Sequence, residues 1–286
     1  MKVGLSLAGG GIRGIAHVGV LKALEENNIE IEAIAGTSAG SIVATLYAMG
    51  YRPYYIYLLF KRYAKDIINI RSKPIINGIT NFIKNNKFGI TGLSDGDMFE
   101  KMYDELANKK GFKLIGDIKK SIVISAVDIG EAKEYIFTNC ASRKNMNDNY
   151  ITEIGIGKAV RASSSFPAVF CPCEFKNHIF MDGGVLDNIP TEELKKVYNG
   201  KIISVNFESD NVRKDYDIMD IIMKTLDIMG NKLSINSLRK SDFLLTIPTD
   251  GTGLIDVEKM DICYEYGYDT TIKNIDKIKR IIQWFW

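Results

Sequence analysis

Histidine is scarce in this 286-residue chain, with only His17 and His178. Any imidazole relay or imidazole metal centre has to draw on those two. Four cysteines (Cys140, Cys171, Cys173 and Cys263) make no disulfide framework for a chain of this size, which points to a reducing compartment. Cys171 and Cys173 stand near His178, but a fourth ligand and the paired spacing of zinc sites are missing, so no metal is expected. Charge of one sign is not in excess: the net value is +2, which leaves no electrostatic footprint for nucleic acid. Apolar runs long enough to span a bilayer are absent too. The opening Met1-Lys2 and the apolar residues after it break at Gly9-Gly10-Gly11 and reach Arg13. They read as a buried first strand rather than a signal peptide.

What remains is ordinary for a globular enzyme-sized chain, with 46% apolar and 25% charged residues. There is no internal repeat, low-complexity tract or clear linker, so residues 1–286 are expected to form a single domain. Lys2 to Ala8 alternates as a buried strand. A glycine loop follows, Gly9-Gly10-Gly11-Ile12-Arg13-Gly14, and then a helical stripe from Ile15 to Leu24. Ile31 to Ala35 is a second strand and Ser41 to Met49 a second helix. Strand, loop, helix, strand is a βαβ opening, hence a mainly parallel sheet with helices on its faces.

Between the second strand and its helix stands Gly36-Thr37-Ser38-Ala39-Gly40. A G-x-S-x-G at a strand-to-helix turn is the sequence form of a nucleophile elbow. The glycines Gly36 and Gly40 permit close backbone approach, and the serine is left at the apex beside a helix N-terminus that favours negative charge. The alternative is a plain turn with Ser38 as a helix N-cap. The glycine loop has two functional readings. Gly9, Gly11 and Gly14 match the dinucleotide fingerprint G-x-G-x-x-G. That fingerprint wants an acid at the end of the second strand, whereas Glu30 and Glu32 lie at its beginning. The other reading is an oxyanion loop whose backbone N–H groups converge beside Ser38.

Further along, Tyr51 to Ile115 loses the regular alternation and reads as a helical insertion, either packed on the core or capping the site. Its isoleucines and lysines, around Phe82 and Ile83, permit contact with lipid. Ser121 to Val127 and Glu134 to Thr138 form a hairpin of strands. A helix is expected from Thr152 to Pro167, which makes Ser163-Ser164-Ser165 a helix end and loop. His178 to Met181 is a strand that leads into Asp182-Gly183-Gly184, a carboxylate whose loop can approach another without side-chain obstruction. The ordinary alternative there is an Asp-Gly turn. Asp217 to Leu238 reads as helix with a break at Gly230, and a last helix runs from Cys263 to Gln283.

The glycine loop, the Ser38 elbow and Asp182-Gly183-Gly184, in that order, resemble the patatin-like phospholipase family, including its compact bacterial members. Gly14 to Leu24, Arg161 to Pro172 and Asp182 to Pro190 look like further blocks of that family. The resemblance implies a three-layer α/β/α fold and hydrolysis of lipid acyl esters by a serine–aspartate dyad without a cofactor. On that basis Ser38 is the nucleophile, Asp182 the proton acceptor, and the Gly9, Gly10, Gly11 and Gly14 loop holds the oxyanion. Arg13 either steadies that loop or meets a phosphate. The expected partner is a phospholipid or another acyl ester, and the expected location cytoplasmic or peripheral to a membrane. A nucleotide-dependent oxidoreductase, and a lipid-binding protein of the same fold without turnover, are the rival classes.

Overall fold

A computed structural model describes residues 1–71, 94–140, 148–167, 169–208 and 218–283. The first elements are β1 (Lys2–Leu7), a 3-10 turn (Gly11–Ile15), α1 (Ala16–Glu26), β2 (Glu30–Thr37) and α2 (Ala39–Ala48). The insertion contributes α3 (Pro53–Arg71) and α4 (Asp97–Lys109). Then come β3 (Ser121–Asp128), β4 (Lys133–Thr138), β5 (Tyr150–Ile151), α5 (Ile156–Ser163), β6 (Cys173–Phe175) and β7 (His178–Asp182). The chain continues through α6 (Thr191–Val197), β8 (Ile202–Phe207), α7 (Ile218–Leu233), β9 (Phe243–Ile247) and α8 (Met260–Gln283).

The sheet runs β5-β4-β3-β2-β1-β8-β9, and its centre, from β3 through β9, is parallel. Alternation along the strands divides the core between two faces. Leu5, Leu7, Ile34, Ile122, Ile124 and Val205 join the larger cluster beneath α1 to α5 and α8. Ala33, Ala35, Val123 and Ile202 turn the other way and pack against Leu194 and Val197 of α6. The architecture is therefore three-layer α/β/α, as expected. α1 and α8 lie close together, because a Cβ on Gly19 or Gly267 would strike backbone of the opposite helix.

One feature of the register positions the site. β2 pairs with β3 only as far as Thr37↔Ser125. Beyond that point the freed edge of β3 is taken by antiparallel β7, starting at Ala126↔Asp182. The other edge of β3 is occupied by β4 over the same residues. The C-terminal ends of β2 and β7 therefore meet head to head, one running up and the other down, along a single strand.

Several boundaries differ from the sequence reading. The helix expected from Thr152 starts at Ile156, because Ile154 O accepts from Ile115 N–H and Ile156 N–H donates to Lys113 O. It ends at Ser163, ahead of Pro167. α7 continues through Gly230, which is a point of close approach and not a break. In the insertion, Phe60 and Ala64 of α3 and Phe99 and Tyr103 of α4 are buried in the main core. Residues 72–93, with Phe82 and Ile83, lie outside the described residues. Among the described residues no helix is long and apolar enough to cross a membrane.

Candidate active site

Ser38 stands between β2 and α2 with φ 52° and ψ −122°. A non-glycine residue held there costs about 1–3 kcal/mol and persists only where its surroundings over-determine it. The surroundings do so. Gly36 and Gly40 face each other across the turn, and a Cβ on Gly36 would lie 2.3 Å from Gly40 C. Gly40 in turn abuts Leu7 O at the end of β1, where a Cβ would come within 2.2 Å. Ser38 N–H donates to Ser163 Oγ at 3.0 Å, and Ser164 Oγ donates weakly to Ser38 O at 3.4 Å.

The glycine loop closes over this turn. A Cβ on Gly9 would sit 3.2 Å from Ser38 Cβ, and one on Gly14 2.5 Å from Ala39 Cβ. Gly10 lies under the Phe207 ring, and Gly11 takes φ 58° against Leu254 O. Three of the loop's amides are committed: Gly9 N–H to Asn188 O, Ile12 N–H to Leu254 O and Arg13 N–H to Gly10 O. Arg13 is buried. Its Nε donates to Gly10 O at 3.2 Å, its Nη2 pairs with Asp227 Oδ1 at 3.2 Å, and its guanidinium lies over Phe207. These bonds fit the steadying role.

Asp182, at the end of β7, is 2% exposed. Oδ1 accepts from Gly184 N–H at 2.9 Å, as in an Asx turn, and Asp182 N–H donates to Ser165 O at 3.1 Å. Oδ2 is buried and has no hydrogen bond of full geometry among the described residues. Burial pushes this carboxyl up to about 6, and the Ser38 hydroxyl and the Gly184 amide oppose that rise. Gly183 is pressed on Ser125, where a Cβ would lie 2.5 Å from the carbonyl oxygen.

Neither histidine joins them. His17 is fully buried, its Nε2–H donates to Ala8 O at 2.8 Å, and its ring lies against Phe207. Burial lowers its pKa to about 4, so it is neutral at physiological pH. His178 Nδ1 is bonded to Asp128 Oδ2 at 2.6 Å, at the opposite end of β7 from Asp182. The half-buried Glu134, paired with Ser125 of the neighbouring strand, is otherwise engaged. Glu134, raised to about 8 by burial, accepts from Ser125 Oγ at 2.6 Å.

Ser38, Asp182 and Gly9 to Gly11 line one cleft of about 890 Å³ measured to its open mouth. Its walls are apolar, with Phe60 of α3, Phe166 and Phe170 after α5, and Leu226 of α7. Sequence reasoning missed the supports. Ser163 and Ser164 hold the elbow, and Ser165 holds Asp182. The cluster of hydroxyls at a helix end was the available signal. Asn188, whose Nδ2 reaches Gly9 O at 3.3 Å, and Asp227 carry no signal in a single sequence.

The fold and this cleft define a three-layer α/β protein with a strained serine elbow beside a buried carboxylate. The chain belongs to the patatin-like phospholipase family, whose pattern it matches over residues 5–195. It is 31% identical to the lysophospholipase NTE1 of Candida albicans over 278 residues, which is 97% of this chain and 17% of that protein. It is 27% identical to the uncharacterized protein YqhO of Bacillus subtilis, over 85% of this chain and 86% of that one. The chain thus spans less than a fifth of the length of the NTE1 lysophospholipases of Candida albicans and Meyerozyma guilliermondii with which it aligns. Among solved structures it shares the fold of ExoU in its complex with SpcU from Pseudomonas aeruginosa, with TM-score 0.54 and 19% identity over 99% of this chain and 52% of that one. VipD from Legionella pneumophila has TM-score 0.51 and 16% identity over 96% of this chain and 67% of that one.

Proposed function

We propose that this protein is a serine acyl hydrolase that cleaves acyl esters of phospholipids or related lipids through a Ser38–Asp182 dyad. The observation that carries this reading is the buried Asp182 carboxyl, with an Oδ2 that makes no hydrogen bond of full geometry among the described residues, beside a serine held in a strained elbow. In the first step Ser38 Oγ attacks the ester carbonyl carbon and its proton passes to Asp182. A base with a pKa near 6 is better matched to neutral pH than an ordinary aspartate. The negative charge on the carbonyl oxygen falls to the Gly10 and Gly11 amides, since their neighbours in the loop are committed. A donor placed there is worth about 3 kcal/mol in the transition state. Asp182 then returns the proton to the leaving alcohol. Water, deprotonated by the same carboxylate, attacks the acyl-serine; the bond to Ser38 Oγ breaks, Asp182 returns the proton to that oxygen, and the fatty acid is freed.

The apolar cleft suits an acyl chain, and the lysophospholipase name of several relatives favours single-chain lipids. The dinucleotide reading has no support at the strand end, where Thr37 Oγ1 is tied to Asp187 O. The test is release of fatty acid from lysophospholipid micelles and from diacyl phospholipid vesicles, wild type beside Ser38→Ala. Release by the wild type alone is expected. Equal, negligible release by both would favour a lipid-binding protein without turnover.

A further inference from the structure

α7 is built inside out. Among its described side chains, the inward face carries polar residues. Asp227 pairs with Arg13 at 3.2 Å, Asn231 Oδ1 accepts from Asn188 Nδ2 at 3.2 Å, and Gly230 is pressed against Gly184 O. These three contacts fix the rotation of the helix. The opposite face presents Ile221, Ile228, Met229 and Leu233, each just over half exposed, with Thr225 and Lys232 between them. The spacing of 221, 225, 228, 229, 232 and 233 is one helical face. An ordinary surface helix of a globular protein is arranged the other way round. Ile235, just beyond the helix, extends the apolar strip.

Two further observations say what covers it. The helix is a wall of the cleft, through Leu226 and Asp227, so the strip adjoins the place where a lipid has to enter. The exposed charge from Ile221 to Ser241 is of one sign. From Ile221 to Ser241 there are four cations, Lys224, Lys232, Arg239 and Lys240, and the only acid is Asp227, which is largely buried and paired with Arg13 and Lys224. Lys232, Arg239 and Lys240 are exposed. Apolar side chains flanked by exposed cations are the pattern of a surface that lies on an anionic lipid interface.

We infer that the outer face of α7 docks this protein on lipid aggregates that contain anionic headgroups, with the cleft opening beside the contact. This rests on the lipid-ester reading of the cleft and assigns the surface through which that substrate is reached. The same helix touches both reactive loops from its inner side, so docking and the dyad share one element.

The test uses the full chain carrying Ser38→Ala, so that binding is read without turnover. Partition is measured by co-sedimentation with vesicles of phosphatidylcholine alone and of phosphatidylcholine mixed with phosphatidylglycerol. The parent should prefer the mixed vesicles, and Ile228→Gln with Met229→Gln should lower its partition about tenfold or more. With Ser38 restored, the double variant should cleave a short soluble ester at the wild-type rate and vesicle lipid correspondingly more slowly. Partition equal to the parent's by a variant of unchanged thermal midpoint overturns the proposal. So does a parent that sediments as a dimer and becomes monomeric in the double variant, which assigns the strip to a second copy of the chain. If the chain with Ser38 cleaves neither ester while partition still depends on Ile228 and Met229, the hydrolase reading falls and the docking face stands.

Discussion

The two oxygens of Asp182 have different surroundings. Oδ1 is fixed by Gly184 N–H, while Oδ2 is buried with no hydrogen bond of full geometry among the described residues. Burial pushes the carboxyl up to about 6, and catalysis should need it ionised. The rate on a soluble ester is expected to rise with pH along a limb near pH 6 and then level off. A profile flat from pH 5 to pH 8 would remove Asp182 from the role of base. The same carboxyl has a stability consequence. Its folded pKa lies above the unfolded value, so its favourable contribution is complete below about pH 4 and is lost as pH rises through about 6. At pH 8 the buried charge is a burden. Asp182→Asn should therefore abolish turnover and yet stabilise the fold, by on the order of 1–3 kcal/mol in denaturant titration. Ser163 is a positioning residue, since its Oγ accepts the Ser38 amide. Ser163→Ala is expected to cost about 1–2 kcal/mol of stability by leaving that donor unpaired. It should lower kcat about tenfold or more, with KM on a soluble ester nearly unchanged. A larger effect on KM would place Ser163 in substrate binding instead.

Among the elements, those whose signal is local were legible in the sequence. The alternation of β1, β2 and β8 and the glycines around Ser38 each declare themselves within a few residues. Asp182-Gly183-Gly184 was legible as a loop able to approach another. The reason it meets Ser38 lay in the register: β7 takes the edge of β3 where β2 stops, and no single segment encodes that. The supports were illegible for a similar reason. Arg13 finds Asp227 from 214 residues away, and the Ser163 hydroxyl meets Ser38 across 125 residues. Gly230 shows how a local rule misleads. A mid-helix glycine reads as a break, but here a Cβ would come within 2.3 Å of Gly184 O. Gly230→Ala gains about 1 kcal/mol of helix propensity. The clash with backbone costs about 1–3 kcal/mol and moves the loop after Asp182. The variant is expected to be no more stable than wild type in a thermal melt and slower on a soluble ester. A clear gain in stability at full activity would mean that α7 is not seated on that loop.

At the scale of the whole molecule, the sheet gathers the C-terminal ends of β1 and β2 and the end of β7 at one edge, and the cleft lies there. The two histidines are spent elsewhere, His17 beneath the glycine loop and His178 on Asp128. That arrangement makes a dyad without imidazole the central claim. The most direct measurement is the rate of labelling by a fluorophosphonate, with the modified residue located by mass spectrometry of peptides. A single adduct is expected on Ser38 in the wild type and none in Ser38→Ala. Labelling should be slowed about a hundredfold or more in Asp182→Asn, and proceed at close to the wild-type rate in His178→Ala and in His17→Gln, which keeps a donor for Ala8 O. Wild-type labelling of Asp182→Asn, or loss of labelling in a folded histidine variant as complete as in Ser38→Ala, would contradict the Ser38–Asp182 dyad.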